Sequence, residues 1–178
     1  MDKATAIKRF SEWDGRGRYV FTLRDLAHLF PEDAPKTLKE GVARLVRAGL
    51  LQRVCRGVYL YPYARTRDSY TVERIARTLR RGHYSYVSNE SALSEYGAIS
   101  QAPVDRLTLM TTGRRGVYHT PYGVIEFTHT ARSVRDILNG VRDAGRPLRL
   151  ASPQTAWRDL KRVGRNLHLV NEDAIVDG

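Results

Sequence analysis

Between residues 36 and 47, polar side chains recur at the spacing of one exposed helix face. The apolar residues Leu38, Val42 and Leu45 lie three or four positions apart and predict the buried side of a helix from about Pro35 to Ala48. The residues off that side carry charge or a hydroxyl group, and they are Lys36, Thr37, Lys39, Glu40, Arg44 and Arg47. Such side chains on the first turns of a helix reach base edges in the major groove of DNA, and the free N–H groups at the helix start bind phosphate.

Two arginines follow this helix in a predicted hairpin. Leu50–Val54 and Val58–Tyr61 have the composition of strands, and the turn Cys55-Arg56-Gly57 separates them. Arg53 and Arg56 are therefore expected near the tip of the hairpin. At that place they can follow the DNA backbone or enter the minor groove.

Two shorter segments complete the predicted domain. Ala4–Trp13 has the periodicity of an amphipathic helix, and Tyr19–Phe21 favours a strand. Thr22 can cap a second helix in which Asp25 reaches back toward the cap, as in a capping box. The order of helix, strand, helix, turn, helix, strand, turn and strand predicts a winged helix-turn-helix DNA-binding domain over residues 1–64.

A polar segment from Ala64 to Asp68 marks the predicted domain boundary, and a second domain is expected over residues 65–178. Helix-like and strand-like segments are mixed in this half. The predicted fold class is therefore α+β, with the N-terminal winged helix-turn-helix followed by a small mixed α/β domain. Residues 131–146 are ambiguous, and the acidic segment from Asn171 is expected to be loose.

The charge balance favours a polyanionic partner. Thirty Lys and Arg residues against 19 Asp and Glu residues give a net charge of +11, and both halves are basic. An arginine-rich proteome would explain the preference for Arg over Lys, but it would not explain the net excess. In the second half, the turn Gly113–Gly116 carries Arg114 and Arg115, which either add phosphate contacts or are simply solvated.

Other residue types lack the spacing that catalysis or metal binding requires. The five histidines are scattered, and together with the single cysteine, Cys55, they form no zinc pattern. No phosphate loop, dinucleotide fingerprint or nucleophile elbow is present in the sequence. Glu126 lacks the clustered carboxylates and nearby lysine of a metal-dependent nuclease. We therefore predict that the chain is not an enzyme and uses no cofactor and no metal.

The sequence also predicts the location of the protein. A single cysteine excludes an internal disulfide framework and is typical of a reducing compartment. There is no apolar run of about 20 residues and no apolar leader at the start of the sequence. We expect a cytoplasmic protein with no membrane partner.

Several stretches of the sequence resemble the AbiEi-type antitoxins. Val42–Leu51 followed by Arg56–Leu60 resembles the winged helix of that family. Tyr86–Gly97, with Ser91-Ala92-Leu93 inside it, is similar to the segment that opens the second domain of the family, and Ala151–Leu160 also looks like it. By position, the resemblance implies DNA-facing residues on the helix and the wing, and these are Lys36, Thr37, Lys39, Arg44, Arg53 and Arg56.

The resemblance further implies a role in a type IV toxin–antitoxin system of phage defence. In that family the winged helix binds inverted repeats in double-stranded DNA at the promoter of its own operon and represses transcription. The second domain counteracts a nucleotidyltransferase-like toxin, generally without a stable complex between the two proteins. The chain is therefore expected to be a DNA-binding antitoxin and autorepressor.

Alternatives remain open at the level of the sequence. The chain could be a winged-helix repressor whose second domain senses a signal or dimerises, with no toxin partner. It could also act on nucleic acid as an enzyme, and winged helices also serve as protein–protein modules. Within the helix, Glu40 could accept a hydrogen bond from a cytosine amino group or pair with Lys36 or Arg44 at helix spacing.

Overall fold

The first of the two units of the chain, Met1–Leu79, consists of four helices and a three-stranded sheet. The structure is a computed structural model and describes residues 1–101 and 104–176. The elements of the first unit are, in chain order, α1 (Lys3–Asp14), β1 (Val20–Thr22), α2 (Leu23–Leu29), α3 (Pro35–Arg47), β2 (Gln52–Cys55), β3 (Val58–Leu60) and α4 (Thr71–Leu79).

A capping box starts α2, as the sequence predicts. The Thr22 hydroxyl accepts a hydrogen bond from the backbone N–H of Asp25 at 3.1 Å. In return, the Asp25 carboxylate accepts from the backbone N–H of Thr22 at 2.7 Å. Two N–H groups that the helix itself leaves unpaired are thereby satisfied. The same carboxylate also binds Arg18 at 2.6 Å, so the start of α2 is tied to the residues before β1.

A glycine turn joins α3 to the hairpin. The N–H of Gly49 donates to the carbonyl oxygen of Val46 at 3.0 Å, and the N–H of Leu50 donates to that of Leu45 at 2.9 Å. This pair of bonds is the Schellman motif, which needs a left-handed residue after the helix. Gly49 has a φ of +71° and meets that need without a Cβ clash.

The sheet of the first unit has the order β1-β3-β2 and is antiparallel throughout. Leu60 of β3 pairs with Val20 on one side and with Gln52 on the other. Gly57, with a φ of +77°, lies in the turn between β2 and β3. The predicted hairpin is confirmed, but β2 begins at Gln52 and not at Leu50, because Leu50 belongs to the turn that ends α3.

Aromatic rings form the core beneath α1. The ring of Phe10 lies 5.5 Å from that of Phe21, 5.9 Å from that of Phe30 and 5.3 Å from that of Tyr61, measured between centroids. All four side chains are buried. Tilted and edge-on ring pairs at these distances stabilise a core beyond the area that they bury. They fix α1 against β1 and the end of α2.

The division between the two units lies after Leu79, later in the chain than the predicted boundary at Ala64. The physical reason is that α4 belongs to the first unit. The hydroxyl groups of Tyr19 and Thr71 are hydrogen-bonded at 3.0 Å, and Ile75 of α4 is fully buried. A polar composition is typical of a linker, but here the polar residues connect β3 to a helix of the same unit.

The second unit, Arg80–Gly178, contains a six-stranded sheet of order β6-β7-β5-β4-β9-β8 in its described part. Its elements are β4 (Ser85–Val87), α5 (Asn89–Glu95), β5 (Arg106–Thr111), β6 (Gly116–Thr120), β7 (Gly123–His129), α6 (Val134–Asn139), β8 (Val141–Arg142), β9 (Arg149–Ala151), α7 (Pro153–Val163) and α8 (Asp173–Val176). The pairs β5–β7 and β4–β9 are parallel and the others are antiparallel. The predicted mixture of helices and strands is confirmed.

Two expectations for the second unit change. The ambiguous residues 131–146 form α6 and β8, and the hydroxyl of Ser133 caps α6 by accepting from the N–H of Asp136 at 3.1 Å. The prediction of a loose segment from Asn171 is wrong for the described residues. The N–H of Asn171 donates to the carbonyl oxygen of Ala98 at 2.9 Å, and Ile175 is buried. An apolar side chain within the acidic segment therefore anchors it.

Candidate nucleic-acid interface

One face of α3 and the hairpin after it carry the side chains that the sequence assigns to DNA. All eight are exposed, and they are Lys36, Thr37, Lys39, Glu40, Arg44, Arg47, Arg53 and Arg56. On the other side of α3, Leu38, Val42 and Leu45 are buried. The hydrophobic periodicity thus separates the two faces as predicted, and we call the eight exposed residues the α3–hairpin surface.

The basic side chains of the α3–hairpin surface have no ion pair. Within the described ranges, no carboxylate oxygen lies within 4.0 Å of any of the six, which are Lys36, Lys39, Arg44, Arg47, Arg53 and Arg56. Arg44 makes one long hydrogen bond, at 3.5 Å, to the carbonyl oxygen of Met1. Unpaired cations at a surface keep their full attraction for phosphate oxygens.

Several carboxylates of the first unit are hydrogen-bonded at other places than this surface. Five of them accept hydrogen bonds from backbone groups or arginines elsewhere, and these are Asp2, Asp14, Asp25, Glu32 and Asp68. Glu32, for example, pairs with Arg9 at 2.8 Å. A hydrogen bond from Thr5 is the main cause that holds the pKa of Asp2 below its ordinary value. These five carboxylates therefore do not neutralise the basic side chains of α3 and the hairpin.

Glu40 is the single acid in the sequence of α3. The sequence left open whether it pairs with Lys36 or Arg44 along the helix. Among the described residues neither cation lies within 4.0 Å of the Glu40 carboxylate. That carboxylate is exposed and remains available as a hydrogen-bond acceptor.

The start of α3 leaves backbone N–H groups open. Ala34 precedes the helix and makes no side-chain capping bond, and Pro35 occupies the first turn without an N–H to donate. The N–H groups of Lys36 and Thr37 precede the first intrahelical bond, which runs from the N–H of Leu38 to the carbonyl oxygen of Ala34 at 2.8 Å. A helix start of this kind is suited to an anion.

The basic turn of the second unit is held through its backbone. The Nε of Arg80 donates to the carbonyl oxygen of Arg114 at 2.9 Å, and the Nδ1 of His129 lies 2.9 Å from the carbonyl oxygen of Gly113. The side chains of Arg114 and Arg115 are exposed. The turn therefore presents two cations from a fixed backbone.

A buried carboxylate cluster in the second unit was not predicted from the sequence. Asp159 of α7 is fully buried and accepts hydrogen bonds from the hydroxyls of Tyr86 and Ser88, at 3.0 and 2.8 Å, and from Arg132 at 2.6 Å. Burial is the main cause that raises the pKa of Tyr86, and the charge of Asp159 adds to it. The cluster joins β4 to α7. Its charges are internally paired, so it offers no free group to a ligand.

A second ionic cluster lies around Glu90 at the start of α5. Its carboxylate, 2% exposed, accepts from the Nε of Arg165 at 2.7 Å and from Asn166 at 3.0 Å. Arg165 also binds Glu126, which in turn pairs with Arg106 at 2.6 Å. Burial would raise the pKa of Glu90, but the hydrogen bond from Arg165 and its other hydrogen bonds hold it below its ordinary value. The residues lie far apart in sequence, so no spacing signal identifies either cluster.

Metal clusters and membrane-spanning helices are absent from the described parts of the chain. These parts contain no group of three or more His, Cys, Asp or Glu side chains that could hold a metal ion. None of the helices described has both the length and the apolarity that a membrane span demands.

Comparison with known proteins bears on the part of the chain that holds α3 and the hairpin. Residues 9–62 match the family model described as "Transcriptional regulator, AbiEi antitoxin". This stretch is similar to the AbiEi antitoxin family. The family predicted from the sequence is thereby confirmed for residues 9–62, and the match supports a role as a regulator or antitoxin.

The fold of the chain also has a solved counterpart. The crystal structure of the RV2827C protein from Mycobacterium tuberculosis is similar with a TM-score of 0.57, over 98% of this chain and 71% of that chain. The identity is 14%, so the similarity concerns the fold alone. No curated protein matches the chain. The AbiEi match thus rests on the first unit, and the fold similarity extends over nearly all residues.

Proposed function

We propose that the first unit is a winged helix-turn-helix that binds duplex DNA. In this proposal α3 enters the major groove, and the β2–β3 hairpin is the wing that follows the backbone. The order of the elements supports it, as does the AbiEi match over residues 9–62. The observation that carries the proposal is the α3–hairpin surface, where six basic side chains lie without an ion pair among the described residues.

The positions on α3 suggest a division of roles. Lys36 and Thr37 lie in the uncapped first turn, where their N–H groups can bind a phosphate. Lys39 and Arg44 are placed to donate to guanine O6 and N7. Glu40 would accept from a cytosine amino group, a contact that no intrahelical ion pair competes with in the described chain.

The remaining basic residues would hold the protein in register on the duplex. Arg47 lies in the last turn of α3, Arg53 on β2 and Arg56 in the hairpin turn. Contacts from these positions to phosphates carry no sequence information, but they contribute most of the affinity at low salt. Arg114 and Arg115 of the second unit would add further phosphate contacts from their anchored turn.

We further propose that the chain is an autorepressing antitoxin of a type IV system in the cytoplasm. It would bind inverted repeats in its own promoter and counteract a nucleotidyltransferase-like toxin without a stable complex. The AbiEi family description supports the regulatory and antitoxin roles. The resemblance of Tyr86–Gly97 to the second domain of the family supports the assignment of that unit to toxin neutralisation.

Two assays test these roles separately. A reporter driven by the DNA upstream of the gene should be repressed by the chain and released by Lys39→Ala with Arg44→Ala. Expression of the neighbouring gene should stop growth, and co-expression of this chain should restore it. Repression that persists in the double variant would contradict the assignment of α3 as the helix that binds the promoter DNA. A neighbouring gene that is harmless, or toxic in the presence of the chain, would remove the antitoxin role.

A repressor without a toxin partner is the second candidate. The extent of the family match favours it, because residues 9–62 include α3 and the hairpin but none of the second unit. In this case the second unit would dimerise or sense a signal. This second candidate also predicts that Lys39→Ala with Arg44→Ala relieves repression of the reporter. It differs in predicting that the neighbouring gene is harmless.

A further inference from the structure

The loop after β3 carries two arginines that form no ion pair in the described part of the chain. Arg65 and Arg67 are exposed, and in the described part of the chain no carboxylate oxygen lies within 4.0 Å of either side chain. Arg16, just beyond α1, is likewise exposed and unpaired there, and its guanidinium stacks over the ring of Trp13 at 5.3 Å. Three arginines in this part of the first unit therefore form no ion pair within 4.0 Å among the described residues.

A buried carboxylate fixes the backbone of this loop. The Asp14 carboxylate, on a residue that is 5% exposed, accepts a hydrogen bond from the backbone N–H of Arg65 at 2.7 Å. It also accepts from the backbone N–H of Thr66 at 3.1 Å and from the Thr66 hydroxyl. Burial would raise the pKa of Asp14, but these hydrogen bonds outweigh it and hold the pKa below its ordinary value. Asp14 stands two residues before Arg16, so the loop is anchored at the same end of α1. The hydrogen bonds of the carboxylate go to the backbone of the loop and to the Thr66 hydroxyl, and the charge of Arg65 also lowers the pKa of Asp14. The exposed Arg65 guanidinium forms no ion pair in the described part of the chain and can approach an outside anion.

The acid within the loop is also occupied. Asp68 pairs with Arg74 of α4 at 2.7 Å and accepts from the backbone N–H of Tyr70 at 3.0 Å. The hydrogen bond from Arg74 is the main cause that lowers the pKa of Asp68. Its charge is thus compensated by α4, and it does not neutralise Arg65 or Arg67.

An aromatic ring projects from the same loop. Tyr63 is 63% exposed, and its ring meets that of Tyr61 at a centroid distance of 5.9 Å and an angle of 61°. This contact is tilted and not stacked, and most of the Tyr63 side chain remains exposed. An exposed ring beside arginines is the arrangement with which proteins hold single-stranded nucleic acid, since each base has a face to stack.

The loop is separate from the hairpin tip. Leu60 of β3 pairs with Val20 and Gln52, and the chain then leaves the sheet at the end opposite Gly57. With a rise of about 3.3 Å per residue, the four residue steps from Gly57 to Tyr61 span about 13 Å. A contact at the loop is therefore additional to the contacts of the hairpin turn.

We propose that Tyr63, Arg65 and Arg67, together with Arg16, form a second nucleic-acid contact, which we call the basic loop. The arginines bind phosphodiester oxygens, and Tyr63 stacks on an unpaired base. The ligand is a single-stranded stretch of DNA or RNA, because the base faces of a duplex are covered by their neighbours. The basic loop goes beyond the proposed function and does not depend on promoter recognition by α3.

Fluorescence anisotropy with the full chain tests the basic loop. The probes are labelled oligothymidine, oligouridine and a duplex of equal length. Tyr63→Ala, and separately Arg65→Ala with Arg67→Ala, should each weaken single-strand binding by about 5-fold or more and duplex binding by less. Tyr63→Phe should bind like the wild type, because stacking needs only the ring. The single-stranded probe that binds more tightly, oligothymidine or oligouridine, shows whether the basic loop prefers DNA or RNA.

The matched control is Lys8→Ala with Arg77→Ala, which removes two exposed charges elsewhere in the first unit. It should change single-strand binding by less than about 2-fold, since each lost phosphate contact matters only where the strand lies. If the control variant lost single-strand affinity to the same extent, the loss would be due to net charge alone, and the proposal would be overturned. A wild-type chain that binds neither single strand, or a larger loss for the duplex, would also overturn it. Thermal unfolding checks that each variant is folded, which we expect because Asp14 binds backbone groups of the loop.

Discussion

Leu50 donates its backbone N–H to the carbonyl oxygen of Leu45 at 2.9 Å, across the turn that joins α3 to β2. The bond closes α3 and starts the strand that leads to the hairpin turn. It needs Gly49 between the two residues in the left-handed conformation, with a φ of +71°. This turn therefore holds the exposed cations of α3 and those of the hairpin in a fixed position relative to each other.

Gly49→Ala tests that connection. A Cβ at a left-handed position costs about 1–2 kcal/mol, so the free energy of unfolding should fall by about that amount. Nothing lies within 4 Å of the Cβ position, so no clash adds to this cost. Urea denaturation measures the change, and Ala48→Gly, one residue before, is the control that alters the chain without the left-handed strain. An unchanged stability in Gly49→Ala would show that the turn can relax.

Asp14→Asn tests the anchoring of the loop after β3. The folded pKa of Asp14 lies below its ordinary value of 3.8. The stabilisation by the carboxylate is therefore present above that value and is lost as the pH falls through the folded pKa. We expect the substitution to lower the free energy of unfolding by about 1–2 kcal/mol at neutral pH, and the gap to the wild type to close in acid.

Trp13 reports this unfolding in a Trp157→Phe background, because each unit contains one tryptophan. Asp2→Asn serves as the comparison, since Asp2 is an exposed cap at the start of α1. A gap between wild type and Asp14→Asn that stays constant down to acid would contradict the role of the charged carboxylate.

Asp159→Ala tests the cluster inside the second unit. Removing the carboxylate leaves Arg132 and the hydroxyls of Tyr86 and Ser88 without their shared acceptor. Loss of one partner of a buried charged pair costs about 3–5 kcal/mol. We expect a loss in this range when Trp157 fluorescence follows unfolding in a Trp13→Phe background.

The exposed Glu172→Ala is the control for that experiment and should have little effect on stability. A stability of Asp159→Ala close to that of the control would mean that water or a neighbouring group replaces the carboxylate. In that case the cluster would not hold β4 to α7.

The salt dependence of DNA binding tests the hairpin. A cation that contacts a phosphate releases a counterion, so the affinity for the promoter duplex should fall steeply with salt. Arg56→Ala should reduce the slope of log affinity against log salt concentration by about 1 and weaken all duplex sequences alike. Lys8→Ala, on α1, should leave the slope unchanged. An unaltered slope in Arg56→Ala would exclude the hairpin turn from the DNA backbone.

Local signals in the sequence predicted much of the first unit. The Thr22–Asp25 capping box and the hairpin turn at Cys55–Gly57 depend on residues within a few positions of each other, and both are present. The exposed face of α3 follows from hydrophobic periodicity alone. Its role in DNA binding stays a prediction, because exposure and charge do not identify a partner.

Interactions between distant residues escaped prediction. Asp14 binds Thr66 and Asp159 binds Tyr86, and no spacing in the sequence relates the members of these pairs. The polarity of Ala64–Asp68 predicts a domain boundary, whereas Asp14 hydrogen-bonds the backbone of Arg65 within that segment. The polarity of the segment from Asn171 likewise concealed the buried Ile175. The composition of a segment is read from the sequence, but its contacts depend on distant residues that the fold brings close to it.

The affinity of the purified chain for its own promoter duplex tests the central claim most directly. Lys39→Ala and Arg44→Ala should each weaken specific binding by about 1–3 kcal/mol, while their binding to a scrambled duplex changes less. Arg77→Ala, an exposed arginine on α4, is the control and should bind like the wild type. Wild-type affinity of both α3 variants for the promoter duplex would contradict the account.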